Sequence, residues 1–379
     1  MSLAKLPEET QNCLRSLFVI YDASQAVEEV VCNSIDADST RIEVSLDFSR
    51  GAFTVKDNGT GIAKDDLKSI PERYLTSKQQ PLDGAPTRTA GWRGEALASL
   101  SEVGSLEIVS KHKSADAAHR KAVRAGQFIS FEPHHQAREV GTTVTMRDLF
   151  SPFPVRKNMI DPQSDGTKTR KRLERLALIH PHIQFSLFQT DAQASCSGQI
   201  LHAVRTDSVK ATFGLLFGRQ LGDCLRSMSY KPLSNPADVV LPADSSSSKE
   251  LQFVYVNGRF VLAKPVCKLI EGIFSRCCRY VPARGEQAAT SSSTELEETS
   301  SKMRSISHRN SQFQPTSQDI RVRKRHAMYV VHITCEPTLY DLTSDPDKMR
   351  VVFTDWFPVL IRVQEALKAF VFHSHPSLR

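Results

Sequence analysis

The nine residues Glu29 to Ala37, Glu-Val-Val-Cys-Asn-Ser-Ile-Asp-Ala, constrain this chain more than any other stretch. They sit in a helical pattern that runs from about Ser24. Ala26, Val27, Val30, Val31, Ser34 and Ile35 make one apolar-to-small arc. Glu29, Asn33 and Asp36 fall at i, i+4 and i+7, so all three project from a narrow strip beside that arc. A surface helix ordinarily fills its polar strip with Lys, Arg and Glu. This strip holds a carboxylate, an amide oxygen and a second carboxylate, with no cation among them. Such a set can place a general base next to an oxygen ligand for a hard cation such as magnesium. An ordinary amphipathic helix has the same periodicity, so the choice rests on the residues further along the chain.

Upstream, residues 1–22 have helical tendency, with Leu3, Leu6, Leu14, Leu17 and Phe18 apolar. Downstream, Arg41 to Phe48 alternates as a half-buried strand, Gly51 turns it, and Ala52 to Val55 form the hairpin partner. That strand leads into Asp57-Asn58-Gly59-Thr60-Gly61, an acid followed by two glycines where the backbone bends tightly or admits a close approach. A short helix is expected over Ala63 to Tyr74, then Thr76-Ser77-Lys78, then a Pro-, Gly- and Thr-rich loop at 79–90. Gly91-Trp92-Arg93-Gly94-Glu95-Ala96-Leu97 opens the next helix, and its backbone N–H groups and helix dipole suit an anion. Strands are expected at Ser105–Lys111, Lys121–Phe131 and Gly141–Arg147, a basic helix at Lys168–Ile179, and a further strand at His182–Phe188.

From about Asp207 the pattern restarts with a helix at Val209–Phe217 and strands near Asp223–Tyr230 and Val239. Gln252 to Val256 is a strong strand signal, and Asn257-Gly258 supplies a tight hairpin turn. Pro265–Cys278 and Asp355–Phe372 read as helices, Ala327–Cys335, Thr338–Leu342 and Val351–Phe353 as strands. Residues 284–325 are rich in Ser, Thr, Gln, Arg and Lys and are expected to be a disordered insertion. The expectation is therefore an α+β chain in two parts, 1–205 and 206–379, the first a sandwich on a mostly antiparallel sheet.

Composition bounds the class. At 379 residues the chain has room for about two domains. No apolar run approaches the ~20 residues needed to span a bilayer. Cys13, Cys32, Cys196, Cys224, Cys267, Cys277, Cys278 and Cys335 show no C-x-x-C spacing, so neither a zinc ribbon nor a disulfide framework is indicated. Reduced thiols in cytosol or nucleus are the default. A net charge of +7 permits a polyanionic partner. Arg156, Lys157, Lys168, Arg170, Lys171, Arg172 and Arg175 are the candidates for sequence-independent contact with a DNA backbone, a solvated helix face being the other reading.

Three signals in fixed order agree in their chemistry: a base and metal ligand on a helix, an acceptor beside a flexible backbone, and an anion cradle. A magnesium-chelated nucleotide would use all three. The order resembles the GHKL ATPase superfamily. Asn33-Ser34-Ile35-Asp36-Ala37, Asp57-Asn58-Gly59-Thr60-Gly61-Ile62, Thr76-Ser77-Lys78, Gly91 to Leu97 and Val256-Asn257-Gly258-Arg259 look like the N-terminal ATPase region of the MutL mismatch-repair family. Arg73 to Lys78 and His180 to Leu187 look closest to its third eukaryotic branch, associated with meiotic crossover resolution.

The resemblance implies a Bergerat-type GHKL sandwich followed by a ribosomal-protein-like α/β domain. It implies ATP and Mg2+ as cofactors, with Glu29 activating the attacking water and Asn33 ligating magnesium. Asp57 would accept from the adenine amino group, joined through water by Thr143, with Gly59 and Gly61 leaving room for the nucleotide. Thr76, Ser77 and Lys78 would belong to a lid. Backbone groups around Arg93, Gly94, Glu95, Ala96 and Leu97 would bind phosphates, and Lys348 would reach the γ-phosphate from the second domain. Implied partners are another MutL homologue as heterodimer partner, MutS-type proteins and DNA, in the nucleus. The chain departs from the family at Leu17-Phe18, at Trp92, and at Asp345 and Asp347, which precede Lys348 and weaken an anion site. No acidic-and-histidine cluster of the family's endonuclease kind follows residue 300, so no intrinsic DNA cleavage is expected and the chain is read as a fragment or short form. The rival readings are a nucleotide-sensing scaffold with negligible hydrolysis and the ATPase region of a type II topoisomerase.

Overall fold

The computed structural model describes residues 5–75, 94–190, 197–230, 237–242, 245–246, 249–277, 326–341 and 349–374. The 79–90 loop, Gly91 to Arg93, the Thr76-Ser77-Lys78 triplet, the expected 284–325 insertion and Asp345 to Lys348 lie outside the described residues.

The chain opens with α1 (Glu8–Val19) and α2 (Ala23–Asp36), then β1 (Arg41–Asp47) and β2 (Ala52–Asp57). It continues through α3 (Lys64–Ser69), α4 (Ala96–Glu102), β3 (Ser105–Lys111), β4 (Ala118–Arg124), β5 (Gln127–His134) and β6 (Gly141–Arg147). Next come α5 (Pro154–Asn158), α6 (Pro162–Ile179), β7 (Gln184–Thr190) and β8 (Ser197–Ala203). These eight strands form one sheet in the order β5-β4-β3-β6-β2-β1-β7-β8. Only β1 and β7 run parallel in it. The alternation in β1 is the reason one face is covered: Ile42, Val44 and Leu46 are buried while Arg41, Glu43 and Ser45 are exposed. The covered face packs against Val27, Val30 and Val31 of α2, Leu100 of α4 and Leu173 and Ala177 of α6. Each fully buried aliphatic side chain there contributes roughly 1.5–3 kcal/mol.

Three local expectations needed correction. The helix after Ala63 stops at Ser69, because Pro71 disfavours helical backbone at Ile70. The single strand expected at Lys121–Phe131 is a hairpin, β4 and β5, turned by Ala125 and Gly126 at φ 46° and 75°. Of the strand expected over Thr338–Leu342, Thr338 and Leu339 lie in a 3-10 turn and Tyr340 and Asp341 in the strand.

The second part holds α7 (Val209–Phe217), α8 (Arg219–Asp223), β9 (Leu225–Tyr230), β10 (Ala237–Pro242), β11 (Ser245–Ser246), β12 (Gln252–Val256) and β13 (Arg259–Phe260). It ends with α9 (Lys264–Cys277), β14 (His326–Ala327), β15 (Tyr329–Ile333), β16 (Tyr340–Asp341), β17 (Val352–Phe353) and α10 (Trp356–Ser374). Its main sheet runs β13-β12-β15-β10-β9. Phe253, Tyr255 and Val330 face Leu178 of α6 and Phe213 of α7, while Val254, Val256 and Val331 face α9 and α10 through Val266, Ile270, Val363 and Leu367. Burial on both faces explains why β12 reads as an unbroken apolar run. Mixed α/β architecture built on a large sheet is thus the fold.

Candidate functional site

The site forms where α2 crosses the ends of β2 and β6. α2 starts at Ala23 because Asp22 caps it, its Oδ1 accepting from the Gln25 N–H at 2.6 Å. Val27, Val30 and Val31 hold one side of the helix in the core, which leaves Glu29, Asn33 and Asp36 half-buried on the strip beside it. Gln25, one turn before Glu29, begins the same strip, and sequence reasoning passed over it. Its buried amide donates to the Val19 carbonyl at 2.7 Å and to Glu29 Oε1 at 3.3 Å.

Asp57, the last residue of β2, is only 7% exposed. Its Oδ1 accepts from the backbone N–H groups of Gly59 at 2.9 Å and Thr142 at 3.2 Å. Its Oδ2 accepts from the Ser34 hydroxyl of α2 at 2.9 Å. Burial raises the Asp57 pKa, and the hydrogen bonds from Gly59, Ser34 and Thr142 oppose that rise. A buried acceptor held from three sides is suited to read a donor group on a ligand. Ser34 was legible only as a small residue of the helix arc. Its role needed the tertiary contact.

Thr143 requires a correction. It pairs with Lys56 across the β2–β6 ladder, whereas Val55 and Val144 pair on the buried face. Strand alternation therefore puts the Thr143 side chain on the face opposite Asp57 and that of Thr142 on the same face. Arg138 Nη1 donates to Thr143 Oγ1 at 2.9 Å. The Thr142 hydroxyl lies 2.9 Å from Ser110 Oγ, and Ser110 Oγ also accepts from the Ile62 N–H at 2.8 Å.

The glycines after Asp57 serve protein packing. A Cβ on Gly59 would stand 2.6 Å from the Ala37 carbonyl oxygen, and one on Gly61, at φ 71°, would collide with the Lys111 carbonyl. Both positions bring the loop against α2 and β3, which differs from the expected role of leaving space for a nucleotide. Gly94, at φ 61°, accepts a hydrogen bond from the Tyr74 N–H at 3.0 Å, so residues 74 and 94 close on each other. Glu95 is buried and lies 2.5 Å from Arg15 of α1 as an ion pair, although that approach is not aligned as a hydrogen bond. Ala96 and Leu97 then begin α4. Arg73 ties α1 to this corner, donating to the Asn12 carbonyl at 2.9 Å and to Ser16 Oγ at 2.6 Å.

The basic candidates divide. Arg172 is 7% exposed, pairs with Glu28, and donates to Ser24 Oγ at 3.1 Å and Tyr21 OH at 2.5 Å. Arg175 stacks on Phe260 with its guanidinium carbon 4.1 Å from the ring centre. Burial lowers its pKa against the pull of Glu28. These two therefore hold α6 to α2 and to the second sheet, and they leave the set of DNA candidates. Arg156 donates to the Leu17 and Ile20 carbonyls at 2.9 and 3.2 Å, closing the end of α1. Lys157, Lys168, Arg170 and Lys171 are exposed, the last three in ion pairs with Asp165, Glu174 and Glu250 at 2.8, 2.8 and 2.9 Å. Thr76, Ser77, Lys78, Arg93 and Lys348 lie outside the described residues.

Among the described residues no three His, Cys, Asp or Glu side chains converge as a metal site. The donors that the strip offers are oxygens only, which fits a hard cation taking one or two protein ligands with phosphate and water for the rest. No described helix is long and apolar enough to cross a membrane.

Comparison with known proteins gives this geometry a context. Residues 21–138 match the family of histidine kinase-, DNA gyrase B-, and HSP90-like ATPases. Over 97% of its length the chain is 30% identical to the human DNA mismatch repair protein Mlh3, of which it covers 24%. It is 28% identical to the DNA mismatch repair protein MutL of Brucella abortus over 96% of this chain and 51% of that one. It therefore spans about a quarter of the human relative and about half of the bacterial one. In fold it is similar to the N-terminal domain of a DNA repair protein, with a TM-score of 0.70 at 21% identity, covering 97% and 99% of the two chains. The Aquifex aeolicus MutL ATPase domain complexed with ADP superposes with a TM-score of 0.51 at 23% identity, covering 66% of this chain and 87% of that one.

Proposed function

This chain belongs to the MutL group of GHKL ATPases, and from that premise we propose that it is the ATP-binding, slowly hydrolysing switch region of a DNA mismatch-repair and meiotic-recombination protein. The single observation that carries the reading is Asp57: a buried carboxylate, fixed by Gly59, Thr142 and Ser34, on the same helix-and-strand junction as Glu29 and Asn33. In this reading Asp57 accepts the adenine amino group. Thr142 takes the place beside it that the family resemblance assigns to Thr143. Glu29 takes the proton of the attacking water, and Asn33 offers its amide oxygen to magnesium. Magnesium, when bound, neutralises phosphate charge. Gly94 to Leu97 offer backbone N–H groups to phosphates, with Arg93 beside them. Thr76, Ser77 and Lys78 form the lid, and Lys348 approaches the γ-phosphate from a ribosomal-protein-like part comprising residues 206–379. Nucleotide orders the lid and α1, two such regions associate, and hydrolysis releases them.

The partners proposed are a second MutL homologue and MutS-type proteins in the nucleus. DNA contact falls to Arg156, Lys157, Lys168, Arg170 and Lys171, without base reading and without a DNA-cleaving step in this chain. DNA affinity that falls steeply with added salt supports the phosphate contact, and salt-independent binding removes it.

Nucleotide binding and turnover on the purified chain, wild type beside Glu29→Ala, test the whole reading. Glu29→Ala should lose turnover and keep nucleotide affinity, while Asn33→Ala should weaken binding of the magnesium nucleotide. Undiminished hydrolysis by Glu29→Ala overturns the role of Glu29. Binding without turnover in the wild type would make the chain a nucleotide-sensing scaffold instead.

A further inference from the structure

Gln25 lies one helical turn before Glu29 on the strip that continues to Asn33 and Asp36. It is 2% exposed, in the first turn of α2, and every polar atom of its amide is engaged. Its Oε1 accepts from the Tyr21 N–H at 3.3 Å, and its Nε2 donates to the Val19 carbonyl at 2.7 Å. Those two backbone partners lie at the junction of α1 and α2, so they fix which end of the amide is oxygen and which is nitrogen. The second hydrogen on Nε2 is thereby aimed at Glu29 Oε1, 3.3 Å away. The backbone of the same turn is held independently by Asp22, which accepts from the Gln25 N–H at 2.6 Å and from Ser24 Oγ at 2.8 Å. Arg172 adds an anchor through Ser24 Oγ and Tyr21 OH.

We infer that Gln25 is a positioning residue for Glu29: its backbone-locked amide holds Oε1 and so presents the other carboxylate oxygen to the attacking water. This rests on the reading of Glu29 as the general base. The chemistry is that of any oriented base. A carboxylate on a flexible stem spreads over several rotamers, and a fixed donor on one oxygen selects the rotamer that points the second oxygen at the reacting proton. The fixing of Gln25 by main chain means that the orientation is set before any ligand arrives. A glutamine that merely filled the turn would need only the Val19 and Tyr21 contacts.

The test measures ATP turnover, nucleotide affinity and thermal midpoint for wild type, Glu29→Ala, Gln25→Leu and Gln25→Glu in one assay. Gln25→Leu keeps shape and removes the donor. Its kcat should fall about tenfold or more while KM stays within about twofold. Gln25→Glu sets a second carboxylate against Glu29, so the two share a proton at low pH, and the acid limb of the kcat–pH profile should move upward by about one pH unit or more. The role of filling the turn would change the thermal midpoint and leave the kcat of the folded variant in place. If Gln25→Leu does not fold, Gln25→Met, which also lacks the donor, is read for the same loss of kcat. A folded Gln25→Leu with wild-type kcat, or a Gln25→Glu profile superimposed on wild type, overturns the inference while loss of turnover in Glu29→Ala leaves the base assignment standing. Equal turnover in wild type and Glu29→Ala overturns both.

Discussion

At the residue scale, the parity of β6 decides which threonine belongs to the site. Thr142 and Thr143 are adjacent and chemically alike, and only the pairing of Val55 with Val144 shows that Thr142 shares the face of Asp57. Thr142→Val should weaken adenine-nucleotide affinity by about tenfold, since it removes a hydroxyl beside the buried carboxylate and one of the hydrogen-bond partners of Ser110 Oγ. Thr143→Val should change it by less than about twofold. Isothermal titration with both variants checks the pair, and equal losses would refute the parity argument. Glu29, Asn33 and Asp57 were legible as candidates because residue type and spacing suggest a base, an oxygen ligand and an acceptor, and the order of the three motifs joined them. Gln25, Ser34 and Arg138 were not, since each acts through a neighbour that only folding supplies.

At the element scale, α6 was read from its charge and turned out to be defined by its buried side. The charge count along Lys168 to Arg175 treats all five cations alike. The helix turns Arg172 inward to Glu28, Ser24 and Tyr21 and Arg175 toward Phe260, leaving Lys168, Arg170 and Lys171 to solvent. Arg172 is buried and Glu28 half-buried, so removing Arg172 leaves a partly desolvated carboxylate without its ion-pair partner. Arg172→Met should therefore lower stability by about 2 kcal/mol in urea unfolding. Adding Glu28→Gln should restore part of that loss, because the stranded carboxylate is then gone. A single-variant effect below about 1 kcal/mol would show that the pair does not hold α2 to α6. Turn chemistry shows the same division between visible and hidden. Asn257-Gly258 announces its hairpin, while Ala125-Gly126 makes an equivalent turn with an alanine at φ 46° that no propensity rule flags.

At the scale of the whole molecule, the two sheets meet through α6. Tyr255 donates to the Arg175 carbonyl at 2.8 Å, and the Arg175 guanidinium lies 3.6 Å from Met349 Sδ. His180, at the end of α6, is half-buried there, and its electrostatic neighbours are His182, His332 and Asp36. Burial and the two histidines press its pKa from 6.5 down to about 4, with Asp36 pulling the other way. The unfolded chain takes up that proton near 6.5, whereas the folded chain waits until about 4. The stabilising contribution is therefore complete above 6.5 and is lost as the pH falls towards about 4, by at most about 3 kcal/mol. His180→Asn should flatten that part of the stability–pH curve in chemical denaturation between pH 7 and pH 4, and an unchanged slope would remove His180 as its source.

The sequence by itself determined most of the order of elements, the amphipathic arc of α2 and the residue types of the candidate nucleotide site, because period and spacing are local properties of a chain. Only the tertiary structure decided which of two neighbouring threonines faces Asp57, which arginines turn inward, and which side chain contacts Glu29. Each of those depends on a partner far away in sequence or on the parity of a strand, and a one-residue change in either leaves composition and periodicity almost untouched while moving a side chain to the opposite face.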